Sequence, residues 1–126
     1  MKKILVACLI AVIGCTSYDI ELGTIELSKW KKDKIGCDGY RSEHIKQIEN
    51  NKSNLLRKGE REITLALGSP ERTELYEKSQ KFYFYYLTSG NECDNSTSTS
   101  IKILRLRFNA LGYCNEALLI EESLDS

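Results

Sequence analysis

Proline, histidine, methionine and tryptophan are nearly missing from this 126-residue chain, which has one of each. A lone histidine leaves little scope for imidazole chemistry. His44 stands at a polar helix start beside Glu43, and nothing in the sequence brings a nucleophile or an orienting partner to it, so it reads as a solvated helix residue. A zinc site would need Cys/His pairs at short spacing, whereas Cys37, Cys93 and Cys114 lie far apart. A phosphate-cradling loop is missing too: Gly36 and Gly39 do not lead from a strand into a helix with the lysine and hydroxyl such a loop uses. Excess charge of either sign is absent, because 18 basic residues meet 18 acidic ones, so there is no basic field for nucleic acid. These gaps disfavour an enzyme, a metalloprotein and a nucleic-acid binder. Long apolar runs are scarce as well, and the one that exists is informative.

That run is Ile4–Ile13, preceded by Lys2 and Lys3. It is too short to span a bilayer and has the order of an export signal, a basic start followed by an apolar stretch. Val12-Ile13-Gly14-Cys15 resembles the bacterial lipobox, in which the cysteine thiol receives diacylglycerol, the chain is cut before it and the new N-terminus is acylated. An unlipidated signal would want a small-x-small cleavage site, which Ala11-Val12-Ile13-Gly14 supplies poorly. An uncleaved anchor is disfavoured because Thr16-Ser17-Tyr18-Asp19 ends the apolar run early. Cys8 lies in a similar string, Leu5-Val6-Ala7-Cys8, but with almost no apolar region before it, and belongs to the discarded segment. The sequence therefore predicts a signal peptide over residues 1–14, a lipidated tether over 15–23 and a single domain over 24–126. The only prosthetic group expected is the covalent lipid on Cys15, and the chain would meet the membrane through it. Thr16, rather than aspartate, follows that cysteine. By the sorting rule of enteric bacteria this is compatible with the outer membrane, and places the domain on its periplasmic face.

Removing residues 1–14 takes two lysines and no acids, leaving the mature chain slightly acidic and long enough for one small core. Export also puts Cys37, Cys93 and Cys114 where a disulfide persists. Three thiols allow one bridge and one leftover. Cys37 lies in the turn Gly36-Cys37-Asp38-Gly39 and Cys93 in the polar loop Ser89–Ser100, two segments able to meet without distorting a core. Cys114 follows a hairpin and shares the inward face with Phe108 if Phe108–Gly112 forms a bulged turn. The expected pairing is Cys37–Cys93, contributing about 4 kcal/mol in the chain-entropy model, with Cys114 a buried, inert thiol.

The brief alternation at Thr24–Lys32 predicts an edge strand with Trp30 at the rim of the core. Ser42 would cap a helix from about Glu43 to Asn51 carrying Ile45 and Ile48. A second helix opens at Gly59, has Glu60 and Glu62 at its positive end and Ile63, Ala66 and Leu67 on one stripe, and stops at Gly68 and Pro70. Beyond that corner the period becomes extended. Lys81–Leu87, Ile101–Asn109 and Tyr113–Glu121 read as three strands, the middle one placing Leu104, Leu106 and Phe108 on one face and Arg105 and Arg107 on the other. The fold class expected is α+β: two N-terminal helices on one face of a three-stranded antiparallel β-meander.

The order Leu56-Arg57-Lys58-Gly59, Leu67-Gly68-Ser69-Pro70, Phe82-Tyr83-Phe84-Tyr85-Tyr86 and Phe108-Asn109-Ala110-Leu111-Gly112, behind a lipobox, resembles the BamE-like (SmpA/OmlA) outer-membrane lipoproteins. The resemblance covers roughly residues 55–120. The lead into the short helix lacks the Thr or Ser cap usual in the family, and the segment Trp30–Arg41 has no counterpart in the assembly factor itself. What the resemblance implies is a non-enzymatic module that binds protein beside the outer-membrane assembly machinery. The same two-helix, few-strand unit also resembles the repeat of secreted β-lactamase-inhibitor proteins, which implies an inhibitory or ligand-binding module instead. For a protein-binding surface the sequence offers Arg105, Arg107, Tyr83 and Tyr85, read as facing away from the core, since arginine and tyrosine are enriched in binding hot spots. A merely solvated sheet face is the competing reading.

Overall fold

Alternation along the third strand sets the architecture. Its even-numbered residues Leu104, Leu106 and Phe108 are fully buried, and their side of the sheet is the one the helices cover. The structure is a computed structural model that describes residues 20–90, 93 and 99–124. The signal peptide, Cys15 and most of the tether lie outside the described residues. Among those described, the chain is α+β, with four short α-helices and one four-stranded antiparallel sheet.

The strands are β1 (Arg72–Tyr76), β2 (Gln80–Tyr86), β3 (Ser100–Phe108) and β4 (Cys114–Ser123), paired in chain order as a meander. The sequence reading missed β1. That strand is an edge, exposed on both faces beyond Arg72, so it shows no alternation. Its turn also lacks the usual signal, because Lys78 and Ser79 take positive φ (60° and 63°) where Asn-Gly is the common choice. The β3–β4 turn behaves as expected. Gly112 has φ 87°, the Asn109 side chain accepts the N–H groups of Leu111 and Tyr113, and the ladder shifts register at Arg107/Phe108 so that Phe108 pairs with Cys114.

The helices depart further from expectation. Residues Leu27–Lys32 form helix α1 rather than an edge strand. Tertiary burial overrides the local alternation: Trp30 is fully buried and donates its indole N–H to Leu67 O at 3.0 Å. The single helix expected over 43–51 is two, α2 (Tyr40–Glu43) and α3 (Ile45–Asn51), broken at His44. Ser42 does not cap it. The Asp33 carboxylate acts from a distance instead, accepting the N–H groups of Asp38 (2.6 Å) and Arg41 (2.8 Å). Helix α4 (Glu60–Leu67) is as predicted, with Glu62 reaching back to the Gly59 N–H at 3.3 Å and Ile63, Ala66 and Leu67 buried.

The tether also ends earlier than expected. Ile20 and Leu22 are buried in the core, so the domain begins by Ile20 rather than Thr24. At the far side of the helical layer the Cys37–Cys93 disulfide is present, with Cα atoms 5.5 Å apart, joining the segment after α1 to the β2–β3 loop. Gly36 is needed beside it: its φ is 69°, and a Cβ there would lie 3.0 Å from the backbone of Leu87 and Thr88. Cys114 is free and buried, and burial pushes its thiol up to about 11.

Candidate functional site

Directly paired residues in an antiparallel sheet point to the same side, so the register assigns each side chain to a face. Tyr83 pairs with Leu106 and Tyr85 with Leu104. Both tyrosines therefore lie on the helix-covered face and belong to the core, which corrects the expectation that they face away from it. Their hydroxyls are engaged: Tyr83 donates to Glu60 Oε1 at 2.8 Å and Tyr85 to Gly68 O at 2.8 Å. Burial and the Glu60 contact push Tyr83 up to about 12, and burial drives Tyr85 higher still.

Arg105 and Arg107 do lie on the other face, opposite Phe84 and Phe82. No helix among the described residues covers this side, yet it is apolar. Phe84, Ile101 and Ile103 form a second buried cluster, with Phe82, Tyr86, Ile120 and Leu124 packed against it. Charged side chains supply the cover. Arg72, from edge strand β1, makes a bidentate ion pair with Glu122, from the opposite edge strand β4, at 2.8 and 3.1 Å. Its guanidinium lies 3.9 Å from the Phe84 ring centroid. A strap of two side chains thus crosses the sheet from edge to edge, and the Glu122 contact holds the guanidinium still more firmly in its charged form. Lower on the same face, Arg105 stacks on Phe82 at 4.8 Å and donates to Glu116 at 3.1 Å. Arg107 reaches the same carboxylate at 3.7 Å and Asn115 at 3.3 Å. Two arginines share one carboxylate, and the Arg105 Nε is buried with no hydrogen-bond partner. Tyr76 extends the aromatic row, 5.4 Å from Phe82.

A separate set of buried charges ties the disulfide segment to the sheet. Arg41, 1% exposed, lies over Trp30 at 4.5 Å, donates to Trp30 O and Tyr86 O, and pairs with Glu71. Glu71 also accepts the Tyr86 N–H at 3.0 Å. Burial raises the Glu71 carboxyl above its ordinary range, opposed by Arg41 and by the N–H groups of Tyr86 and Ile35. The hold on the Ile35 N–H accompanies an unusual backbone, since Ile35 has φ 63°, a conformation that a β-branched residue rarely adopts. A cleft of about 480 Å³ is lined by Arg41 and Glu71 together with Lys31, Lys34, Ile35 and Pro70. The carboxylate and guanidinium contacts named here are made to groups of the protein itself, which makes the set a structural clasp. Among the described residues no group of three His, Cys, Asp or Glu side chains is placed to hold a metal ion.

Sequence reasoning missed Arg72, Phe84 and Glu122. The signal for Phe84 was present in the alternation of Phe82-Tyr83-Phe84-Tyr85-Tyr86, but with aromatics on both sides the strand does not declare which side is inward. Arg72 and Glu122 lie 50 residues apart, and no local pattern links them. Comparison with known proteins adds no constraint: no family model, curated protein or solved structure matches this chain.

Proposed function

We propose that this protein is a non-enzymatic lipoprotein, anchored through Cys15 to the outer membrane on its periplasmic face, whose uncovered sheet face binds protein. The observation that carries the reading is that face: an apolar aromatic floor roofed by arginines. Arg105 and Arg107 share Glu116, and Arg105 sits on Phe82. Aromatic and arginine side chains on a rigid strand give large contact area at low ordering cost, as binding hot spots do. The resemblance of the sequence to BamE-like lipoproteins implies a partner in the outer-membrane assembly machinery; a partner soluble in the periplasm would favour the inhibitor-like alternative. Affinity capture from native membranes tests both, using the wild type and the double variant Arg105→Glu, Arg107→Glu. Recovery of a membrane assembly complex that the double variant loses at least tenfold is the expected result. Equal recovery by both proteins removes this face from the interface. Metabolic labelling with a fatty-acid analogue, lost in Cys15→Ala, tests the anchor; an unlabelled wild type ends the lipoprotein reading.

A further inference from the structure

Antiparallel strands in chain order put the β1–β2 turn and the β3–β4 turn at the same end of the sheet. Six large apolar side chains are exposed among the described residues: Leu56, Leu65, Leu75, Tyr76, Leu111 and Tyr113. Five of them gather at that end. Leu75 and Tyr76 finish β1, while Leu111 and Tyr113 belong to the β3–β4 turn. Leu56 is brought alongside because the next residues pair with the start of β4: Arg57 N–H donates to Cys114 O at 2.7 Å and Cys114 N–H to Lys58 O at 2.8 Å. Leu75 and Leu111 are 85% and 82% exposed, so the core does not use them.

The domain's first described residues lie beside the same end. Asn54, two residues before Leu56, donates its side-chain amide to Glu21 O at 2.9 Å. Cys15 precedes the buried Ile20 by five residues, a span of at most about 18 Å when extended. A lipid on Cys15 would hold this end, and not the opposite one, close to the bilayer.

We propose that this end of the sheet seats in the bilayer interface, with Leu111 entering the acyl boundary and Leu75, Tyr76 and Tyr113 at headgroup level. The inference rests on the Cys15 anchor proposed above. The chemistry fits that occupant. A leucine at the β3–β4 turn, with Tyr113 beside it and Leu75 and Tyr76 at the end of β1, suits a boundary that is apolar on one side and wet on the other. The charges around the tips are mixed, Arg57, Lys58 and Lys78 against Glu74 and Glu77, so apolar insertion rather than lipid charge would set the contact. No helix among the described residues is long and apolar enough to cross a membrane, and the contact proposed is interfacial.

The test uses the full chain purified from membranes and reconstituted into phosphatidylcholine vesicles carrying a nitroxide lipid. A fluorophore is placed at Ala110→Cys or, in a separate sample, at Thr99→Cys, about 30 Å away along β3. The Ala110 probe should be quenched at least threefold more than the Thr99 probe, equally at low and high salt. Adding Leu75→Glu and Leu111→Glu should abolish that difference while the protein stays with the vesicles. Equal quenching of the two probes in vesicle-bound wild type overturns the seated end and leaves the anchor standing. Wild type that floats free of the vesicles, with an unmodified Cys15 by mass spectrometry, overturns the anchor and the seating together.

Discussion

The two faces of the sheet bury apolar side chains by different means. On the inner face the helices are the cover, and among the sheet's own polar atoms there two tyrosine hydroxyls and the Cys114 thiol are held protonated. On the outer face the cover is charged side chains lying flat, Arg72 on Phe84 and Arg105 on Phe82, each anchored to a glutamate of β4. A helix shields a face permanently because its removal means unfolding. Arginine side chains can shield apolar surface and still be displaced singly, since each here is a quarter to a third exposed, at 27% and 33%. The inner face therefore sets stability, and the outer one can be uncovered without loss of the fold.

The sharpest contrast lies in truncating an aromatic on each side. Phe108→Ala, fully buried against Tyr83, should cost about 3–5 kcal/mol in urea unfolding. Phe82→Ala on the outer face should cost about 1–2 kcal/mol; equal losses would erase the distinction. Next, replacing Cys37 and Cys93 by serine should cost about 4 kcal/mol, because the bridge spans a sequence separation of 56, and should loosen the helical layer more than β3 and β4 as read by hydrogen exchange. Alkali should then attack the inner face selectively. The folded state holds the protons of Cys114 (about 11) and Tyr83 (about 12) more tightly than the unfolded chain does. Their stabilisation is complete below about pH 9 and is lost as pH rises through 11 to 12. Cys114 should stay unreactive to a thiol reagent at pH 8 until the protein unfolds. The smallest effect belongs to the strap. A double-mutant cycle on Arg72→Ala and Glu122→Ala should give a coupling of about 0.5–1 kcal/mol, since both side chains are a third exposed, and salt should weaken it.

What was legible in the sequence follows the same division. Helix α4, with its glutamates at one end and Gly68-Ser69-Pro70 at the other, carried its own boundaries. So did β3, whose alternation is one-sided. The disulfide was legible because two cysteines fell in segments free to meet. Edge strand β1 was not, since a strand exposed on both faces has no pattern to read. Helix α1 was hidden because Trp30 stabilises it through Leu67, 37 residues on, rather than through its neighbours. The placing of Tyr83 and Tyr85 outward failed for a related reason: β2 is buried on both sides, and only its pairing with Leu106 and Leu104 reveals which side the helices occupy.

One consequence of the Cys37–Cys93 bond concerns persistence rather than shape. The ring it closes contains α2, α3, α4, β1 and β2 in full. A protease that nicks any one turn in that stretch, the exposed Glu77-Lys78-Ser79 tip included, cannot separate the part carrying Cys15 from the part carrying β3 and β4. The nicked protein stays a single covalent molecule, still joined to whatever Cys15 is attached to, until a reductant reaches the bridge.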